Sequence, residues 1–76
     1  MNSRITVERS GIGPLTFAGE LIASETDGTM DIRFYRAGSR RHVLAVTDHR
    51  PSGDYHWAHI YTDLPARVID SIVKGA

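Results

Sequence analysis

The chain contains no cysteine, and this absence excludes several chemistries at once. Disulfides, thiolate metal sites and a cysteine nucleophile are all ruled out. Since a small secreted domain usually needs disulfides or a similar staple, the composition favours an intracellular protein. The first residues lack the apolar core of a signal peptide, and no apolar run approaches the roughly 20 residues of a membrane span. We therefore expect a cytoplasmic protein that does not cross a membrane.

An excess of one charge is also lacking, because nine basic residues balance nine acidic ones. A globally basic nucleic-acid binder is therefore not indicated. The local distribution is uneven, since residues 20–31 carry four acids and no base, whereas residues 33–50 carry five arginines against Asp48 alone. Arginine suits bidentate recognition of carboxylate or phosphate. The neutral sum therefore conceals an acidic segment followed by a basic one.

Catalytic motifs are missing as well. The sequence has no G-x-S-x-G, no phosphate loop, no dinucleotide-binding glycine pattern and no H-E-x-x-H. A domain of 76 residues also leaves little room for a substrate cleft of several hundred Å³. The sequence therefore predicts a protein that is not an enzyme and requires no cofactor.

The histidines give only a weak indication of metal binding. His56 and His59 form an H-x-x-H, which on a helix could chelate one ion. On a strand, positions three apart point to opposite faces, so the spacing loses that meaning. A set of His49, Asp54 and His56 stays open, but zinc sites normally use more regularly spaced ligands. No metal site is predicted.

Strand-like alternation dominates the first 62 residues. The links between the alternating segments are rich in Gly, Pro and Asp-Gly and too short for a crossover helix, so neighbouring strands should be antiparallel. The sequence predicts one α+β domain over residues 1–76, a five-stranded antiparallel meander with a C-terminal helix packed on one face. The predicted strands are residues 4–9, 15–24, 29–36, 41–47 and 55–62, and the predicted helix is residues 65–74.

Helical spacing replaces alternation at the end of the chain. The apolar stripe of this helix comprises Val68, Ile69, Ile72 and Val73. An isolated helix of this length does not persist in water, so the stripe must dock on the sheet. The expected floor comprises Phe17, Leu21, Ile32 and Phe34, which leaves the opposite sheet face for function. A tight hairpin that pairs Ser24 with Thr29 would place Glu20 opposite Arg33.

The segment YHWAHIY, residues 55–61, is the most distinctive stretch of the chain. Alternation gathers four rings on one strand face, namely Tyr55, Trp57, His59 and Tyr61. Turned inward, these rings would complete the core; turned outward, they would form an interaction patch beside Tyr35 and Arg33. Because a small domain needs bulky core residues, we favour the packing in which Trp57 is buried.

Candidate contact residues fall into two groups at opposite ends of the predicted meander. The candidate partner-binding residues are Arg33, Tyr35, Arg36, Arg40, Arg41, Trp57, His59 and Tyr61. The candidate acidic surface is Glu20, Glu25, Asp27 and Asp31. Successive hairpins lie at opposite ends of a meander, so we expect an acidic pole and an arginine-rich pole. The sequence leaves open which pole contacts a partner.

In size and layout the chain resembles the small inhibitors encoded by phages and mobile elements, anti-CRISPR proteins among them. The resemblance covers the organisation of the whole chain and no particular motif. It implies a stoichiometric, non-enzymatic protein-binding module that occupies a surface of a larger host protein or ribonucleoprotein complex. One alternative is a nucleic-acid-binding module that uses arginine and aromatic residues on an open sheet face. Another is a homodimeric structural or adaptor domain.

Overall fold

The computed structural model describes residues 3–75, which form five strands and one helix. The elements are β1 (Ser3–Val7), β2 (Leu15–Asp27), β3 (Met30–Arg36), β4 (Arg41–Arg50), β5 (Gly53–Thr62) and α1 (Ala66–Gly75). The strands pair in sequence order, each antiparallel to the next. The predicted α+β meander with a C-terminal helix is therefore confirmed. Residues 1, 2 and 76 of the predicted domain lie outside the described range.

The hairpin between β2 and β3 has a shorter loop and longer strands than expected. Asp27 pairs with Met30, so only residues 28 and 29 form the loop, and Gly28 takes the positive φ of 61° that such a turn requires. The expected pairing of Ser24 with Thr29 is wrong, since Ser24 lies opposite Arg33. The polar residues before the turn continue the strand instead of ending it.

A β-bulge divides β2 into two halves. The register shifts between Leu21 and Ala23, so the residue between them has no partner in the ladder. Residues 15–19 pair with β1, and β2 pairs with β3 from Glu20 onward, on both sides of the bulge. Because of the bulge and the shorter loop, Glu20 pairs with Arg36 and not, as expected, with Arg33. The sheet is curled, with β1 and the first half of β2 folded over one of its faces.

The face enclosed by this curl, which we call the inner face, carries the main core. Val7, Tyr35, Val43 and Ala45 are its buried residues. Five partly buried residues pack against them, namely Ile5, Leu15, Phe17, Ala37 and Ala58. The Phe17 and Tyr35 rings meet edge to face, with centroids 5.4 Å apart. The enclosure is tightened where the Ser10 N–H donates to the His56 carbonyl (2.8 Å) and the His56 N–H donates to the Ser10 hydroxyl (2.9 Å).

We call the opposite face of β3, β4 and β5 the outer face. Its β3 and β4 side chains are mostly buried or half-buried, whereas those of β5 are largely exposed. Phe34 and Val46 are only 1% and 4% exposed on this side. Among the described elements, α1 is the one left to cover them, and it contacts β2. Its Val68, Ile69 and Ile72 are half-buried in agreement with the predicted stripe. The central strands are therefore buried on both faces, one beneath α1 and the other beneath β1 and β2.

This double cover corrects the expected floor for the helix. Phe17 lies on the inner face with Tyr35, on the other side of the sheet from Phe34. Leu21 is 51% exposed. The expectation that the face opposite the helix would stay free is also wrong over much of the sheet, because the β1–β2 hairpin occupies it.

Gly19 permits the close approach on which the curl depends. A Cβ at this position would overlap the main-chain carbonyl oxygen of Arg36 and lie 3.2 Å from the Phe17 ring. We expect Gly19→Ala to lower the free energy of unfolding by about 1–3 kcal/mol, because one strand must move to admit the methyl group. Urea unfolding measures this change. Gly75→Ala is the control, since a Cβ there meets nothing within 4 Å. Equal stability of the two variants would contradict the close contact.

His42 is a polar residue in an apolar position. It is 5% exposed and stacks on Phe34, with centroids 5.3 Å apart and ring planes inclined by 8°. Neither ring nitrogen has a hydrogen-bond partner within residues 3–75. Burial, assisted by the nearby Arg36 charge, lowers the pKa of His42. The folded protein therefore holds this ring neutral at pH 7.

We expect His42→Phe to raise the free energy of unfolding by about 1 kcal/mol at pH 7. The variant removes two buried nitrogens that lack partners and keeps a ring stacked on Phe34. The gain should grow as the pH falls below the ordinary histidine value of 6.5, because the unfolded wild type then binds a proton that the folded state disfavours. Urea unfolding from about pH 5 to about pH 8 tests this. His59→Phe, at an exposed position, is the control, and a His42→Phe gain that does not change with pH would contradict the assignment.

Candidate functional site

The four rings of β5 point outward and form a continuous row, which we call the aromatic row (Tyr55, Trp57, His59 and Tyr61). Trp57 is 40% exposed and Tyr55 is 41% exposed, so the favoured packing with Trp57 buried is wrong. Ala58, from the alternate positions, turns towards the inner-face core instead. The inner-face core is already filled by Phe17 and Tyr35. The row lies on the outer face, on the opposite side of the sheet from Tyr35 and Arg33.

Two contacts involve rings of the row. His59 and Tyr61 have centroids 4.6 Å apart with ring planes inclined by 45°. The Arg50 guanidinium lies over the Tyr55 ring, 4.8 Å from its centroid, and also donates to Asp48 at 2.9 Å. The arginine that contacts the row is thus neutralised by a neighbouring carboxylate.

The backbone beside the row is an open sheet edge. β5 pairs with β4 on one side only. The N–H and C=O of His56 both point away from β4 and bond to Ser10. Alternation gives Ala58 and Ile60 the same outward orientation. Apart from the ladder with β4, no backbone hydrogen bond within residues 3–75 reaches these two residues. Ile60 is also 50% exposed, so strand pairing and side-chain contact are available together.

The inner face carries a second candidate site at the end of the sheet near the 28–29 and 51–52 turns. It is an open cavity of about 570 Å³. We call it the polar cup, and its strand residues include Asp31, Arg33, Thr47, His49, Asp54 and His56. Glu8 also lines it, whereas Glu25 borders it on β2 opposite Ile32, a position whose side chain belongs to the outer face. The small size of the domain led us to expect little room for a cleft of several hundred Å³, but the curled sheet encloses an open cavity of this size.

His49 bridges two carboxylates across the cup. Its Nε2 lies 2.7 Å from Asp31 Oδ2 on β3, and its Nδ1 lies 3.0 Å from Asp54 Oδ1 on β5. These hydrogen bonds raise the pKa of His49, the bond to Asp31 contributing most. The bond from His49, followed by one from Thr26 (3.1 Å), lowers the pKa of Asp31. The side chains of three adjacent strands are thus tied together at the cup.

Arg33 lines the same cup, and none of the ion pairs within residues 3–75 includes its side chain. Its Nε is buried and has no hydrogen-bond acceptor within residues 3–75. Thr47, by contrast, is joined to His56 Nδ1 at 2.9 Å. Within the described chain, no group of three His, Cys, Asp or Glu side chains is arranged to hold a metal ion. The set of His49, Asp54 and His56 is committed to hydrogen bonds with neighbouring side chains.

The predicted partner-binding residues do not form one surface. Tyr35 is 7% exposed and belongs to the core, so its side chain presents no contact surface. Arg36 and Arg40 are exposed at the predicted arginine-rich end, but each is paired, with Glu20 at 2.8 Å and with Asp63 at 2.6 Å. Exposed pairs of this kind contribute under about 1 kcal/mol each. The charge of this pole is therefore largely balanced locally.

The remaining predicted residues are distributed as follows. Arg41 is exposed and lines a smaller cavity of about 270 Å³ beside Leu15 and Ile60. Glu25 and Asp27 are exposed on the β2–β3 hairpin, at the opposite end from the 37–40 loop. Of the predicted acidic surface, Glu20 lies instead at the arginine-rich end and Asp31 faces the cup.

Sequence reasoning missed the polar cup as a unit. Its signal was present, since β3, β4 and β5 each carry two polar residues of the same parity near one end. Only the register shows that these three pairs lie side by side.

Comparison with known proteins identifies no relative: no family model, curated protein or solved structure matches the chain. Within residues 3–75, no helix has the length and apolar character needed to cross a membrane.

We expect stability to depend on pH through His49. Its pKa is raised in the folded state, so its contribution is fully present below about the ordinary value of 6.5 and is lost as the pH rises through the raised value. His49→Gln should therefore be less stable than wild type at about pH 6, with the difference shrinking towards about pH 9. Thermal unfolding of both proteins across this range provides the measurement. His59→Gln, outside the cup, is the control, and a difference that stays constant with pH would refute the charged bridge.

Proposed function

We propose that this protein is a non-enzymatic protein-binding module that acts stoichiometrically through the outer side of β5. The partner we propose is a larger protein or ribonucleoprotein complex. The module inhibits this partner by occupying a surface that the partner needs for its own activity. This is the mode of action implied by its likeness in size and layout to the small inhibitors of phages and mobile elements. The observation that carries the proposal is the outward orientation of the aromatic row on an open sheet edge.

Exposed aromatic rings are unusual in a domain this small, because it has few large side chains with which to build a core. Trp57 and Tyr55 are 40% and 41% exposed, although burying one large side chain contributes about 1.5–3 kcal/mol. Trp and Tyr are the residues that most often dominate the energetics of protein interfaces. A partner that covers the row would bury these rings, and the free energy of that burial would stabilise the complex.

The edge beside the row adds a directional contact. The outward N–H and C=O groups of Ala58 and Ile60 can pair with an extended segment of a partner, while the ring of Trp57 enters a pocket on the same partner. Main-chain pairing supplies affinity, and the alternate side chains supply specificity. The row and the edge together therefore favour a protein partner that offers a strand.

Charge argues against nucleic acid as the partner of this surface. Base stacking on aromatic rings is normally combined with cations that track the phosphates. The arginine over Tyr55 is already paired with Asp48 at 2.9 Å, and the chain as a whole has no net charge. Oligonucleotide binding and self-association are therefore outcomes to be tested beside the proposal.

Trp57→Ala should weaken binding of the partner by about 30-fold or more, the effect of losing an interface hot spot of about 2 kcal/mol. The experiment purifies the tagged protein with its partner from the cells in which it acts and measures the stoichiometry of the complex. Affinity for the reconstituted partner is then compared between wild type and variant. Leu21→Ala is the matched control, because Leu21 is an exposed apolar residue (51%) on a different strand.

Three results would overturn the proposal. The first is a Trp57→Ala variant that binds the partner as tightly as wild type. The second is a wild-type protein that forms only a concentration-dependent dimer, measured by light scattering, that Trp57→Ala abolishes. The third is oligonucleotide binding that weakens steeply with salt and depends on Trp57.

A further inference from the structure

We propose that the polar cup binds a small amino-carboxylate, a molecule that carries both a carboxylate and an ammonium group. This site lies on the inner face, on the other side of the sheet from the aromatic row, and is separate from the proposed protein contact. Its cavity of about 570 Å³ falls within the range of about 300–1,000 Å³ usual for small-molecule sites.

Arg33 provides the anchor for the carboxylate. Its Nε–H is buried without an acceptor, and none of the five ion pairs within residues 3–75 includes this side chain. Leaving a buried donor unsatisfied is costly, and more so when the group is charged. Since Arg33 lines the cup, the cavity is where an acceptor for its guanidinium can arrive. A carboxylate matches the fork of guanidinium donors.

The other charges of the cup favour an ammonium group. Three carboxylates face it, those of Glu8, Asp31 and Asp54, and His49 bridges the two aspartates. The third, Glu8, takes part in none of the ion pairs among the described residues. A ligand that was only anionic would meet these carboxylates. A ligand that was only cationic would leave Arg33 unsatisfied. An amino-carboxylate satisfies both.

The walls of the cup are already organised for binding. The His49 bridge ties β3, β4 and β5 together, and Thr47 fixes the ring of His56 at 2.9 Å. Side chains held by such bonds lose little freedom when a ligand arrives, which favours affinity.

Three compounds of equal chain length test the proposal, namely 5-aminopentanoate, pentylamine and pentanoate. Each is titrated into the ¹⁵N-labelled protein while amide shifts are followed by NMR. We expect 5-aminopentanoate to bind at least about tenfold more tightly than either compound with a single charge, with shifts centred on Arg33, His49 and His56. Equal affinity for all three, or no shift at about 10 mM, would overturn the proposal.

Two pairs of variants locate the charges. Arg33→Gln should abolish the preference for 5-aminopentanoate over pentylamine, whereas Arg36→Gln, on the same strand but outside the cup, should keep it. Glu8→Gln should weaken binding at least about threefold, whereas Glu20→Gln, outside the cup, should not. The NMR spectrum of each variant verifies folding, and the glutamate pair decides the outcome if Arg33→Gln does not fold. A preference that survives Arg33→Gln, or binding that is unchanged in Glu8→Gln, would place the ligand elsewhere.

Discussion

The bend in β2 is the constraint on which the rest of the structure depends. A single unpaired residue between Leu21 and Ala23 shifts the ladder, and Gly19 lets the strand pass against the backbone of Arg36. The first half of β2 then carries β1 across the inner face instead of extending beside β3. At one end this hairpin meets Tyr35 and completes the core. At the other end it leaves the space that becomes the polar cup.

Covering the central strands twice determines what remains exposed. β1 and β2 lie over one face of β3 and β4, and α1, which contacts β2, is the described element left for the other. Within residues 3–75 no further element remains to cover β5. The edge strand turns its alanine towards the core and its four rings outward. Trp57 is thus exposed because the described chain is too short to cover both the central strands and β5. An exposed tryptophan on this side makes a protein contact physically reasonable.

Several charges are balanced locally. Arg36 and Arg40 each have a carboxylate partner, and His49 lies between Asp31 and Asp54. Arg33 differs from these, because the curl places it beside a cavity and its buried Nε has no acceptor within residues 3–75. The two faces of the sheet therefore carry different chemistry, aromatic and open on the outside, charged and concave on the inside.

The sequence by itself determined the strands, their meander order, the C-terminal helix and the division of residues 55–61 into two alternating sets. These follow from period-two and helical spacing, from turn residues and from links too short for a crossover. It did not determine which set faces inward, because alternation is symmetric between the two faces. Only the tertiary structure decided the direction of Trp57, the burial of Tyr35 and the meeting of Arg33 with His49. The physical reason is that the bulge and Gly19 turn β1 and the first part of β2 over one face of β3, β4 and β5. The covered face is the one that carries Tyr35, Arg33 and His49, and Trp57 lies on the other.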